Sequence, residues 1–174
     1  MIPYRQHNLC RKLFLPFLFT IGCGHAFAET LTDHSLGAIS IGTPAEQART
    51  QLPSHQDDKA NYPPDNNCYY FVPPEYKGVF YMVIDEKVAR IDIDSVDLSI
   101  KTTEGVGVGS TKEAVLQAYK EVLISEHPYL APDGEYLEVK LSNGNGLIFE
   151  TLNGSVIAFR LGSYPALSYI EGCV

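Results

Sequence analysis

The sequence predicts an α+β fold: two tandem α-β-β-β-β units that form one continuous antiparallel sheet, with both helices packed on one face. Two self-matches carry this reading. "AISIGTPAEQA" (38–48) and "VGVGSTKEAV" (106–115) share an apolar alternation, a glycine and then Ser/Thr-x-x-Glu, and their glycines, Gly42 and Gly109, stand 67 positions apart. "VFYMVIDEKVARIDI" (79–93) lies over "LIFETLNGSVIAFRL" (147–161) at an offset of 68, and "CYYFV" (68–72) lies over "YLEVK" (136–140). A spacing that persists from one element type to the next marks an internal repeat.

The elements follow in chain order. Arg5, Arg11 and Lys12 precede the apolar run "LFLPFLFTI", and Ala26 and Ala28 stand at the small-residue positions of a cleavage site. That is the layout of a signal peptide, 1–28, and the apolar run is too short for a membrane span. A second processing route is also open, because "TIGC" loosely matches a lipobox that would lipidate Cys23. Either route places the protein outside the cytoplasm: periplasmic or secreted after cleavage near Ala28, or an outer-membrane lipoprotein held through Cys23. The leader contains three basic residues and no acidic one, so its removal takes the formal charge from −8 to −11. Such a chain repels nucleic acid and anionic headgroups and suits a cationic partner.

The first unit is predicted over 29–102 and the second over 103–174. In the first, Thr43 and Glu46 form a capping box with Pro44 at the first helical position, opening a helix near 44–52. In the second, Ser110 and Glu113 do the same for a helix near 111–123, with Ala114, Val115, Ala118 and Val122 turned inward. Gly42 and Gly109 let a strand turn into each helix. Strands follow at 68–72 and 136–140. Hairpins then turn at Asp85-Glu86 and Asn153-Gly154, the latter a strong turn signal between alternating runs. A fourth strand is predicted after each hairpin, at 96–100 and about 166–170.

A glycine-led capping box opening a helix-first antiparallel unit resembles the small lipoprotein subunit of the outer-membrane barrel-assembly machine. Two such units in tandem are similar to the beta-lactamase inhibitory protein. The chain also resembles a secreted bacterial family of unassigned activity, marked by a Gly-x-x-x-Gly-Ser/Thr opening, here Gly105 to Ser110, and a terminal Glu171-Gly172-Cys173. These resemblances imply helices behind an open sheet and a protein-binding role. They transfer no site residue.

Chemical motifs are few. "EGVGVGSTKEAV" (104–115) lacks both the Walker spacing and the dinucleotide fingerprint, because Ser110 stands where either needs glycine. "HQDD" (55–58) is a short polar loop. "DIDSVD" (92–97) has Val96 where a calcium loop needs an oxygen ligand. His34, His55 and His127 have no nucleophile at a telling spacing. No catalytic residue, metal site or cofactor is predicted.

The predicted function is therefore non-enzymatic: a secreted or periplasmic protein-binding module, of the envelope-assembly or enzyme-inhibitor type. It would use the sheet face and the long loops 53–67 and 125–135. Tyr62, Tyr69, Tyr70, His127 and Tyr129 form the candidate surface, since tyrosine supplies contact area at low entropic cost. Tyr69 and Tyr70 are adjacent on a strand and must face opposite sides. The alternative is a small-ligand-binding protein or an enzyme with a cleft between the units. Loss of the leader, or lipidation of Cys23, leaves Cys68 and Cys173 to pair in an oxidising compartment.

Overall fold

A computed structural model of the chain describes residues 29–52, 54–58, 67–74, 76–94 and 99–173. The leader, Cys10, Cys23, Tyr62 and most of the first long loop lie outside the described residues. The fold is α+β, with two short helices and predominantly antiparallel sheet. The first half holds β1 (Thr30–Leu31), β2 (Ser35–Leu36), β3 (Ile39–Ser40), α1 (Ala45–Gln51), β4 (Gln56–Asp57), β5 (Cys68–Val72), β6 (Val79–Ile84) and β7 (Lys87–Ile93). After β8 (Lys101–Thr102) come α2 (Lys112–Ala118), β9 (Val122–Glu126), β10 (Gly134–Lys140), β11 (Asn145–Leu152), β12 (Ser155–Ser163) and a 3-10 turn, Ala166–Ser168.

Eight strands form the main sheet in the order β4-β5-β6-β7-β12-β11-β10-β9. Its centre is the antiparallel pair β7–β12, with Ile93 opposite Phe159 and Ile91 opposite Leu161. This explains a correction. A strand at 166–170 would have to pair beside β12, where β7 already lies, and the chain there forms the 3-10 turn instead. Residues 96–98 of the other predicted fourth strand lie outside the described residues, and Ser99 and Ile100 are not in a strand. Each half still supplies four strands, but the extra one, β4 or β9, comes directly after the helix. The second helix accordingly ends at Ala118, and Val122, predicted to be helical, opens β9. The second long loop shrinks likewise, since Ser125–Glu126 belong to β9 and Gly134–Glu135 to β10.

The helix openings repeat bond for bond. Gly42 N–H donates to Val88 O, Val88 N–H to Thr43 O, and Ala45 N–H to Glu86 O. In the second half Gly109, Val156 and Lys112 donate to Val156 O, Ser110 O and Gly154 O. Gly42 and Gly109 have φ of 87° and 83°, a left-handed conformation that a side chain would strain. Thr43 and Ser110 do not cap the helices as predicted. Their hydroxyls accept from the N–H groups of Ser40 and Gly107 and fix the preceding turn. Thr111 caps α2 by accepting from Ala114 N–H, and α1 has no side-chain cap. Both hairpins carry a register shift at matching places, Met82/Val83 and Glu150/Thr151.

Alternation sends Tyr69, Phe71, Tyr81, Ile91, Leu137, Phe149, Phe159 and Leu161 to one face. Ala45, Ala48 and Val115 of the two helices join the same core cluster, so both helices cover that face. The four-stranded sheet β3-β2-β1-β8 adds Leu31, Leu36 and Ile39 to it. Among the described residues, the opposite face carries no helix longer than the 3-10 turn.

Candidate functional site

The helix-free face is crossed by the C-terminal segment 164–173, which acts as a strap. The strap is fixed at its end by a disulfide between Cys173 and Cys68 at the start of β5, with Cα atoms 5.3 Å apart. It is held along its length by two arginines from the central strands. Arg90 on β7 donates from Nη1 to the carbonyls of Ala166 (3.0 Å) and Tyr169 (2.8 Å), from Nη2 to Tyr70 Oη (3.0 Å), and from Nε to Asp92 (3.0 Å). Arg160 on β12 donates from Nε to Leu167 O (3.0 Å), pairs through Nη1 with Glu150, and lies over the Tyr136 ring. Both guanidinium groups are buried. Planar, permanently charged forks that satisfy backbone carbonyls suit such positions better than lysine.

Glu150 joins this network to His127, whose Nε2 lies 3.1 Å from the other carboxylate oxygen. His127 Nδ1 accepts from Tyr129 N–H (3.1 Å), so Nε2 carries the proton and donates to Glu150. With both ring nitrogens engaged and the ring against Tyr136 (centroids 4.5 Å apart), this histidine positions the 127–133 turn. It is buried, not solvated, and presents nothing to a partner. Tyr69 is a correction of the same kind. It is buried beneath α1, its hydroxyl donating to Glu86 and accepting from Arg49, both at 3.0 Å. Tyr70 faces the other side as predicted, half-buried against the strap. Tyr129 is exposed.

Between the strap and the sheet lies a cavity of about 320 Å³, at the place where β7 and β12 meet. Arg90, Asp92, Asp94, Glu150, Arg160 and Glu171 line it, four carboxylates against two guanidinium groups. Burial pushes the Asp92 and Asp94 carboxyls above their usual range, against the pull of Arg90 on Asp92. Next to it, sharing Ile170, Glu171 and Gly172, is an open depression of about 580 Å³. Tyr129 (64% exposed), Tyr169 (41%) and Ile170 (47%) form its apolar surface. Tyr129 Oη donates to Glu171 and ties this patch to the acidic one.

The residues that sequence reasoning missed are Arg90 and Arg160. Their signal was present: each is a cation on the outward phase of a strand, a few residues past its hairpin turn. Outward phase alone does not reveal that a later segment folds back over it. Tyr169 and Ile170 were assigned to a strand that does not form. Among the described residues, no group of three or more His, Cys, Asp or Glu side chains is placed to hold a metal ion.

Three phenols held above the usual tyrosine range contribute to stability below about pH 10. Burial first, then the hydrogen bond to Glu86, pushes Tyr69 up to about 12. Tyr119 and Tyr164 are also raised, again mainly by burial, then by hydrogen bonds that include those to Glu104 and Glu138. Unfolded tyrosine ionises near 10, so the stabilisation is complete below about pH 10 and is lost as pH rises through the folded values. Urea midpoints are expected to stay level up to about pH 10 and then fall towards pH 12. Phenolate absorbance from these residues should grow together with unfolding. Full ionisation while the protein remains folded would contradict the burial argument.

No protein-family model and no curated protein matches the chain. Among solved structures it is similar to an extracellular protein containing an SCP domain from Bacillus anthracis str. Ames, at 10% identity and a TM-score of 0.48. The match covers 71% of this chain and 44% of that one, so the chain spans less than half of that protein.

Proposed function

We propose that the protein is an exported, non-enzymatic module that binds a cationic protein through the strap side of its sheet. The observation that carries the reading is the patch of Tyr129, Tyr169 and Ile170 set directly beside the carboxylate-rich cavity. Exposed aromatic anchors next to an excess of carboxylates suit a partner that presents an apolar side chain beside a lysine or arginine. The formal charge of −8 on the whole chain works in the same direction over longer range. Export to the periplasm or beyond, with cleavage near Ala28 or lipidation at Cys23, is part of the proposal, and the Cys68–Cys173 bridge suits an oxidising compartment.

We further propose that the two halves are tandem copies of one unit. The recurrent helix-opening bonds and the matched register shifts support this.

The test is capture from the native envelope or secreted fraction, with immobilised wild type against a Tyr169→Ala/Ile170→Ser double variant. Wild type should retain a basic protein at micromolar concentration, and the variant should lose at least about tenfold in affinity. Salt should weaken the wild-type complex further. Equal retention by both proteins, or no retained protein, would reject the reading. A second reading, a small-ligand site, draws on the position of the cavity at the junction of the halves. It would show as thermal stabilisation by a small molecule that the patch variant leaves unchanged.

A further inference from the structure

The main sheet has two edges, and they are built differently. β4 is two residues long and includes Asp57, which leaves little backbone to offer. β9 is five residues, Val122-Leu123-Ile124-Ser125-Glu126, with no proline, no lysine and no bulge. Leu123 is 62% exposed and Ile124 42% exposed. An open, apolar, regular edge is a template for another strand unless something covers it.

The register shows which backbone groups are free. His127 N–H donates to Gly134 O, and β9 pairs with β10 through Glu126↔Glu135 and Ile124↔Leu137. In an antiparallel ladder alternate residues turn their N–H and C=O to the same neighbour. Residues 127, 125 and 123 therefore bond to β10, and Val122, Ile124 and Glu126 turn their backbone groups outward.

We infer that β9 pairs with β9 of a second copy of this chain, antiparallel about a two-fold axis through Ile124. That axis sets Ile124 opposite Ile124 and Val122 opposite Glu126 twice, so all three outward residues on each strand meet outward residues. Leu123 falls diagonal to its counterpart, within reach of a leucine side chain. Both exposed aliphatics of β9 are covered by the one pairing. Lys120, exposed two positions before β9, comes diagonal to Glu126 of the second copy, a complementary charge contact made twice. An axis moved to Glu126 would put two carboxylates directly opposite each other, and an axis between residues would match outward with inward backbone groups. The side-chain sequence of β9 therefore favours itself as partner in one register, as an isologous contact requires. The result is a sixteen-stranded sheet across two protomers.

Sedimentation of the purified protein should show a monomer–dimer equilibrium, with dimer dominant at high-micromolar concentration. Ile124→Lys places like charges on the axis and should weaken association at least about tenfold. Lys120→Glu lies outside the strand and spares the fold. It should weaken the dimer several-fold at low salt, and adding Glu126→Lys should restore it. Ile124→Cys should cross-link under mild oxidation, since paired Cα atoms about 5.5 Å apart permit a disulfide, whereas Gln56→Cys on β4 should not. A wild type that stays monomeric throughout this range would overturn the inference. So would a dimer indifferent to Lys120→Glu, or one that Ile124→Cys fails to link.

Discussion

Replacing Cys68 and Cys173 together by serine should remove as much as about 4–5 kcal/mol of stability, the chain-entropy value for closing so long a loop. The bridged residues are 105 positions apart, and the bridge joins the start of β5 to the end of the strap. Without it the strap keeps its contacts to Arg90 and Arg160, the hydrogen bonds Tyr129–Glu171 and Tyr164–Glu138, and the packing of Ala166 and Leu167. Denaturant unfolding of wild type and of the double-serine variant measures the effect. Reduced wild type should behave like the variant. A difference below about 1 kcal/mol would show that the strap is held without the bridge.

Arg90→Ala should be almost as damaging, at up to about 3–5 kcal/mol, because it takes the paired guanidinium from the largely buried Asp92, leaving only the more distant Arg160 charge, and removes the donor for two strap carbonyls. Its cost can be divided. In Arg90→Met/Asp92→Leu the ion pair gives way to apolar groups of similar volume, and most of the electrostatic part should return. What does not return measures the loss of the donor to the carbonyls of Ala166 and Tyr169. If the double variant is as unstable as Arg90→Ala, anchoring of the strap dominates and burial of Asp92 is secondary. An Arg90→Ala protein as stable as wild type would mean that the strap does not depend on the Arg90 clamp.

The sequence carried the local rules well and the long-range ones poorly. Gly42 and Gly109 marked the helix entries because their left-handed φ is a backbone demand that glycine meets. Asn153-Gly154 marked one hairpin by its turn chemistry and Asp85-Glu86 the other by its place in the repeat, and all four residues have positive φ. Alternation turns Ala89, Ile91 and Ile93, and Ile157, Phe159 and Leu161, to one face. The last two of each set join the core, but Ala89 and Ile157 fall at the register shifts, where Ala89 packs with Met82 in another cluster and Ile157 is exposed. Alternation failed at 166–170 because strand propensity is local, whereas the vacancy beside β12 depends on β7, some seventy positions earlier in the chain. It also failed at Tyr69, where the phase was read correctly but the phase facing the helices was not. Val122 fitted a helical face as well as a strand, and only the free edge of β10 decides between them. Of the site, the cysteine pair was legible by elimination and Tyr129 by its place in a loop. Arg90, Arg160 and the strap were not, because a charged residue on the outer phase of a strand looks the same whether water or a later segment covers it.

In mechanical terms the bridge changes the path of a load. A pull applied at β1 and at Cys173 meets the bridge, because Cys173 is covalently joined to Cys68. Tension passes straight from β5 to Cys173, and everything between the two cysteines is bypassed. That withholds about 350 Å of extensible chain at roughly 3.3 Å per residue. Only the first half's leading elements, from β1 to the start of β5, can lengthen. For that load the seam between β7 and β12 and the whole second half stay slack.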